Sequence, residues 1–361
     1  MRLGDRFIDL GACNEDEIVE KAMSLAPIDG VLSPDDSMVG LANAVATGLG
    51  IASNPPWGVG ATRNKATFRR ALHGLVPQPA YQVIEVGTDL AVDIDRIGLP
   101  AVMKPLSLSG SQGVLRVDSL SHAVTVEARI RRILAIRGIN PNEPLLLERF
   151  VPGPEVAVEG LLVDGTLTVL VVFDKPDPLD GPYFEETIYV APSRLHPEML
   201  DEVHRVVQAA CTGLQLATGP IHAELRIDRS DVVMIEMAAR PIGGRCGTAL
   251  RFGSGTTHEE LLAKAALGVV PGPGDGLAGS VGSLMIPIPS SGVLGEVRGV
   301  EEARMVPGIT GVDISIPIGA SVMALPEGNR YLGFAYASTS SPSATEAALR
   351  TVMATITVVI A

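Results

Sequence analysis

Lys104 closes a short apolar run, AVMK (101–104), and the chain then passes through Pro105 into SLSGSQG (107–113). A lysine beside a Ser/Gly loop suggests phosphate binding. The Walker A string, with its lysine after the glycines, is absent, and so is G-x-G-x-x-G directly after a strand. Here the lysine comes first, on a strand. The loop that follows offers backbone N–H groups and hydroxyls, a nest for anions. Between two strands it could fold as a lid over a polyphosphate. The same residues also suit a surface lysine beside a glycine hairpin.

A second constellation lies in IHAELRIDRSDVVMIEMAAR (221–240). His222, Glu224 and Arg226 alternate and so share a face, as do Glu236, Ala238 and Arg240. The stretch reads as a hairpin turning at Asp228–Asp231. An odd loop centred on Ser230 sets Glu224 directly across from Glu236. Like charges in that position are destabilising, and a divalent cation favours both as carboxylates. Mg²⁺ takes one or two carboxylates together with substrate phosphates and water. The alternative is a pair of exposed glutamates in water, but VVMI before Glu236 and MAARPIGG after it suit a bare charge poorly. An even loop would put the two on opposite faces.

Other residues carry weaker signals. Lys175 could reach phosphate or substrate, or end a strand in solvent. His222 reads as a hydrogen-bonding residue beside the carboxylates in preference to a base. Cys246 has no Cys/His pair to support a covalent role. Arg69 and Arg70 read as solvated helix residues in preference to phosphate contacts, and Arg131, Arg132 and Arg137 as a solvated helix face. Gly243 and Gly244 give a bend that admits substrate closely.

These residues need a scaffold, and 361 residues allow two or three domains. Aromatics are few, with one Trp, five Tyr and seven Phe, so the core should be aliphatic. Against 28 Lys and Arg stand 41 Asp and Glu, a net charge of −13, which argues against a nucleic-acid surface. The three cysteines have no metal or disulfide spacing and suit a reducing, cytoplasmic compartment. No apolar run is long enough for a membrane span. MRLGDRFIDL lacks the apolar core of a leader, and it is little material for the opening βα unit, which reads as clipped.

Helical spacing is present at 17–26, 38–51, 62–74, 121–138, 197–216 and 257–268. An apolar strand in DGVLSPDDS (29–37), with Asp35, Asp36 and Ser37 as N-caps for the next helix, implies a parallel N-terminal sheet. LVPQPAYQV (75–83) reads as a loop. LPAVMKPL and EPLLLERFV (143–151) read as strands, and Asp164-Gly165 marks a hairpin in 155–175. VPGPGDGLAGS (270–280) is a linker. After it, short strands alternate with one helix, SATEAALRTVMATI, and the terminal TVMATITVVIA is a buried strand or helix end.

Lys104 with its loop, then LLLERFVPGPE, HAE and IEMAARPIGG, in this order, resemble the ATP-grasp superfamily over roughly residues 30–270. The resemblance implies an α/β fold in four parts: an N-terminal parallel α/β domain (1–75), a lid subdomain (76–150), a large antiparallel subdomain with the metal site (151–270), and a small C-terminal domain (275–361). It implies that Lys65 and Lys104 contact ATP phosphates and that Ser109, Gly110, Ser111, Gln112 and Gly113 close over them. Glu148, with Phe150 and Val151, would read the adenine edge, and Glu155 the ribose. Glu224 and Glu236 would bind Mg²⁺, with Mn²⁺ as a substitute, and Arg240 would stabilise the transferred phosphoryl group.

Many members of the superfamily carry Asn two residues after the second metal glutamate; here Ala238 stands there. Glu-x-Ala-Ala-Arg and His-x-Glu are instead similar to the L-amino-acid ligases. So is FDKPDPLDGPYFEETIYVAPSRL (173–195), which implies substrate contacts from Glu186 and Tyr189, alongside His222, Gly243 and Gly244. GVEEARMVPGITGVDISIPIGASV resembles their small closing domain. The implied activity joins a small-molecule carboxylate to an amine through an acyl-phosphate, without nucleic acid or membrane; relatives of this size are often homodimers. The alternatives are a different acceptor (a thiol or a pathway intermediate) and an ATP-binding module without catalysis.

Overall fold

The computed structural model describes residues 11, 13–25, 27–253, 255–272 and 276–361. The segment read as clipped, MRLGDRFIDL, lies outside the described residues, as do 273–275 of the linker. The described residues open with four helices: α1 (Glu15–Ser24), α2 (Val39–Gly48), α3 (Pro56–Thr62) and α4 (Lys65–Ala71). Asn14 and Glu17 form a capping box on α1. The single basic helix expected at 62–74 is two, because Asn64 caps a new start by accepting from the Thr67 N–H.

The expected parallel N-terminal sheet is not found among the described residues. Residues 27–33 form no strand. Gly30 instead lies against Ala266, so close that a Cβ there would sit 2.7 Å from the Ala266 carbonyl oxygen. Among the described residues no strand pairs with the segment, so no ladder forms there. Nor do the Asp-Asp-Ser residues cap α2, which starts from Met38 without a side-chain cap. Asp35 holds the Ser37 N–H, and Asp36 is taken by Arg240.

Next come β1 (Tyr81–Ile84), α5 (Leu90–Ile97), β2 (Ala101–Pro105), β3 (Leu115–Val117), α6 (Leu120–Ile136) and β4 (Leu145–Arg149). The strands make one antiparallel sheet in the order β1-β4-β2-β3. Both helices cover one face of it, burying Ile94, Ile130 and Leu134 against Met103 and Leu147. The expected loop at 75–83 thus ends in a strand from Tyr81, because Tyr81–Ile84 pairs with the apolar β4.

The large sheet follows. Its first strands are β5 (Glu155–Val163), β6 (Thr166–Lys175) and β7 (Ile188–Ala191); after α7 (Pro197–Gly213) come β8 (Gly219–Asp228) and β9 (Asp231–Ala238). The chain then makes a 3₁₀ turn at Cys246–Ala249, a two-stranded ribbon, β10 (Arg251–Phe252) and β11 (Thr256–Thr257), and α8 (His258–Ala266). β12 (Ser280–Ile286), β13 (Gly292–Arg298), α9 (Val300–Arg304), β14 (Ile309–Ile314), β15 (Ser321–Val322), β16 (Gly333–Thr339), α10 (Pro342–Thr355) and β17 (Thr357–Ile360) complete it. The eight-stranded antiparallel sheet runs β14-β16-β12-β7-β6-β5-β8-β9, so strands from beyond the 270–280 linker continue the sheet begun before it. The terminal run read as strand or helix end is both, and α9 is a second helix after the linker.

α7 packs the sheet to the opening helices. Val203, Val207 and Ala210, spaced to share one helix face, are fully buried with Val158, Leu225 and Met234 of the sheet and with Phe68 and Leu72 of the N-terminal part. Burying residues of that size contributes roughly 1.5–3 kcal/mol each. This shared core fixes α4, and hence Lys65 and Arg69, relative to β8 and β9.

Candidate active site

A cavity of about 560 Å³ opens between the four-stranded and eight-stranded sheets. Its walls include Lys65, Lys104, Ser109, Gly110 and Ser111 on one side and Glu148, Phe150, Val151 and Glu155 at the sheet junction. Glu186, Tyr189, His222, Glu224, Glu236, Arg240, Gly243 and Gly244 close the other side. Two loop residues expected there are elsewhere. Gln112 is buried and donates from Nε2 to the Glu327 carbonyl at 2.5 Å, and the Gly113 N–H donates to the Pro326 carbonyl at 3.1 Å. They tie the loop to the C-terminal segment; Arg129 adds a bidentate pair with Glu327 at 2.6 and 3.0 Å. Arg137, read as solvated, also donates to the Glu327 carbonyl.

Glu224 does face Glu236, but by a different route from the one expected. The turn of the β8–β9 hairpin is even: Asp228 pairs with Asp231, leaving Arg229 and Ser230 between them. That register alone would place the two glutamates on opposite faces. It is corrected by a bulge, since Leu225 pairs with Met234 while Glu224 pairs with Glu236, leaving Ile235 as the extra residue. The Ile235 carbonyl is held by Arg69 Nη2 at 2.6 Å. Arg69, expected in solvent, is 1% exposed and also donates from Nε to Glu148 Oε1 at 2.6 Å.

Glu148, expected at an adenine edge, is thus held by this guanidinium on one oxygen. Its second oxygen is 2.5 Å from Lys104 Nζ, so both oxygens are held by buried cations. Burial opposes ionisation of Glu148, but Arg69 and Lys104 outweigh it and hold the carboxyl below its ordinary range. Burial lowers the Lys104 ammonium, with Glu148 opposing. Glu155, expected at the ribose, is held in the same way. Its cross-strand partners are Lys175 on β6 and Arg226 on β8, and they reach its two oxygens at 2.7 and 2.9 Å.

Lys175 is the residue whose place the sequence left most open. It is 5% exposed, and its ammonium lies 2.7 Å from Glu155, 2.6 Å from Glu186 and 3.0 Å from Glu224. Burial works against the charge, yet the three carboxylates raise its pKa well above the ordinary lysine value. Oxygens of those carboxylates converge within 4.8 Å of one another. Glu236 stands outside that group and pairs with Lys65 Nζ at 3.3 Å. Burial disfavours its charge, and Lys65 and Lys104 prevail, so it stays ionised below the usual range. Hard carboxylate oxygens on two facing strands are the donor set of Mg²⁺.

On the Glu186 side of the cavity, Tyr189 is buried, with Lys175 Nζ 5.0 Å from its ring centre. His222 is buried; burial, then Arg240, push its pKa down to about 4, so the ring is neutral, and its Nδ1 has no hydrogen-bond partner. Arg240 donates to Asp36 at 2.6 Å and stays charged. Gly244 has φ +60°, and a Cβ there would lie 2.5 Å from Met285 Sδ. Behind this bend is a pair the sequence did not flag: Glu159, fully buried, accepts from the Ile242 N–H and meets His258 Nε2, each at 2.8 Å. Cys246 is buried, as expected of a wall thiol.

Comparison with known proteins agrees with this architecture. An ATP-grasp domain, a fold family that uses ATP, matches residues 97–249, and an L-amino acid ligase C-terminal domain 2 matches residues 284–361. An uncharacterised protein of Sinorhizobium fredii is 25% identical over 301 residues, which is 82% of this chain and 61% of that protein. An alanine–anticapsin ligase of Bacillus subtilis is 23% identical over 256 residues, 63% of this chain and 52% of that protein. The chain thus spans between half and two thirds of the length of these relatives. The crystal structure of an L-amino acid ligase from Bacillus licheniformis superposes with a TM-score of 0.82 at 25% identity, covering 96% of this chain and 85% of that one. Both domain matches lie on one α/β fold: residues 97–249 are similar to an ATP-grasp domain, and residues 284–361 to the C-terminal domain of the L-amino acid ligases.

Proposed function

We propose that this chain is an ATP- and Mg²⁺-dependent carboxylate–amine ligase that joins two small molecules, most simply two amino acids, into an amide. The observation that carries the reading is the joint presence on one cavity of Lys65, Lys104 and Arg240 with the facing carboxylates Glu224 and Glu236. In the first step a substrate carboxylate oxygen attacks the γ-phosphorus of ATP. The bond to the β–γ bridging oxygen breaks and ADP leaves. In the second, the amine nitrogen attacks the acyl carbon, the bond to the phosphate oxygen breaks, and phosphate and one proton are released. Lys65, Lys104 and Arg240 offset the charge spread over the transferred phosphoryl oxygens. Glu224 and Glu236 would hold Mg²⁺, or Mn²⁺ in its place, which supplies further charge neutralisation when bound.

Ser109, Gly110 and Ser111 cover the phosphate side and keep water from the acyl-phosphate. Glu148 acts in this scheme by holding Lys104 and Arg69 in place, while Phe150 and Val151 remain the adenine side and Glu155 the ribose side. Glu186 and Tyr189 face the substrate amine; Gly243 and Gly244 give the substrate room. The three free cysteines suit a reducing compartment, and we place the chain in the cytoplasm.

The test is ADP release across a matrix of paired amino acids, with Glu236→Ala as control. ADP that depends on the pair and is lost in the variant supports the ligase. ADP only with a thiol as second substrate moves the reading to a different acceptor. ATP binding without ADP in any combination makes the chain a nucleotide-binding module.

A further inference from the structure

The C-terminal strand region contributes a wall to the cavity that the ATP and carboxylate chemistry does not use. Ser315, Asn329, Arg330, Tyr331 and Phe334 line it. The Ser315 N–H donates to the Leu332 carbonyl at 2.9 Å, which sets Ser315 beside the Tyr331–Leu332 stretch.

Three of these residues hold polar groups without partners. Among the described residues, the cavity's other cations are engaged. Lys65 pairs with Glu236, Lys104 with Glu148, Arg226 with Glu155, Arg240 with Asp36 and Arg245 with Asp313, while Arg149 donates to the Ile97 carbonyl. Arg330 lines the same cavity, and among the described residues no carboxylate or carbonyl is bonded to it. Nearby, Ser315 Oγ and Tyr331 Oη are buried and have no hydrogen-bond partner. Buried hydroxyls are normally satisfied, so two unpartnered ones on one wall ask for a ligand group. An unpaired guanidinium and two hydroxyl donors together suit a planar anion with several acceptor sites.

We propose that Arg330, with Ser315 and Tyr331, forms a subsite for a free carboxylate of the incoming amine substrate, so that the acceptor is an amino acid and not a simple amine. This rests on the ligase reading above. The carboxylate of the donor substrate reacts with ATP and must lie by Arg240 and the metal carboxylates. The subsite therefore serves a second carboxylate, one that stays intact. The surroundings give it a reason to exist: Glu186, Glu224 and Glu236 line the same cavity, and the chain carries a net charge of −13. An anionic acceptor would be repelled without a dedicated cation.

The experiment measures kcat/KM for one acceptor amino acid, its carboxamide and its decarboxylated amine, at saturating ATP and donor. Wild type, Arg330→Ala, Arg330→Lys and Ser315→Ala are compared. A lost charge-assisted contact is worth a factor of about 10 to 100. Wild type should prefer the free acid over the carboxamide by that factor. Arg330→Ala should lower kcat/KM for the acid, mainly through KM, until the preference collapses toward one, and Arg330→Lys should recover part of it. Arg330 is exposed and unpaired, so its loss leaves the fold intact. A wild type indifferent to the carboxamide, or an Arg330→Ala variant that keeps the full preference, overturns the proposal while the ligase stands. Absence of ADP from wild type with every pair overturns the ligase reading and this subsite with it.

Discussion

Arg69 Nη2 donates to the Ile235 carbonyl at 2.6 Å, and that carbonyl belongs to the one bulged residue that brings Glu236 opposite Glu224. A helix in the N-terminal part therefore helps set the face on which a carboxylate of the large sheet appears. The same guanidinium holds Glu148, so one buried side chain braces both sheets of the cavity.

Arg69→Leu should accordingly be costly. Removing one partner of a buried ion pair typically costs about 3–5 kcal/mol. Glu148→Gln should cost a similar amount by leaving Arg69 and Lys104 side by side without their anion. The double variant should lose clearly less than the sum, because each change already breaks the same contact. Urea unfolding of the four proteins reads this directly; strict additivity would contradict the shared role.

Lys175 is the counter-charge for three carboxylates. Lys175→Met should destabilise the fold by about 3–5 kcal/mol, since it leaves those charges buried together. It should also create a cation site, because Glu155, Glu186 and Glu224 present oxygens within 4.8 Å of one another. Millimolar Mg²⁺ or Ca²⁺ should then raise the melting temperature of the variant more than that of wild type. Equal responses in the two proteins would mean that the carboxylates are not held by the lysine alone.

Much of the site was legible in the sequence. Carboxylates, lysines and glycine loops announce chemistry by type, and alternation along β8 and β9 shows which of them share a face. The facing of Glu224 and Glu236 was anticipated, yet from an odd loop that does not exist: a bulge is set by a tertiary contact from Arg69, and no local pattern records it. Arg69 reads as solvated and Lys175 stays ambiguous for the same reason, since a charged side chain on a helix or at a strand end shows its partners only in the fold. Glu159 and His258 lie 99 positions apart in the chain. The N-terminal strand failed because an apolar triplet next to a Pro-Asp loop fits a strand or a packed coil equally well.

The thiols give a simple check on the packing. Burial pushes the Cys211 thiol up to about 12 and raises that of Cys246 further, whereas Cys13 is only partly buried. At pH 8 the buried pair should be neutral and inert. A disulfide reagent should titrate one thiol per chain in the native protein and all three in denaturant. Rapid labelling of Cys246 without denaturant would contradict the closed wall behind Gly244.

The central claim is that a substrate carboxylate is activated as an acyl-phosphate. It is tested most directly by supplying the donor with both carboxylate oxygens labelled with ¹⁸O, together with ATP, Mg²⁺ and the amine that turns over, and weighing the phosphate released. The account predicts one ¹⁸O in the phosphate and one in the new amide. Unlabelled phosphate alongside amide formation, or AMP in place of ADP, would contradict it.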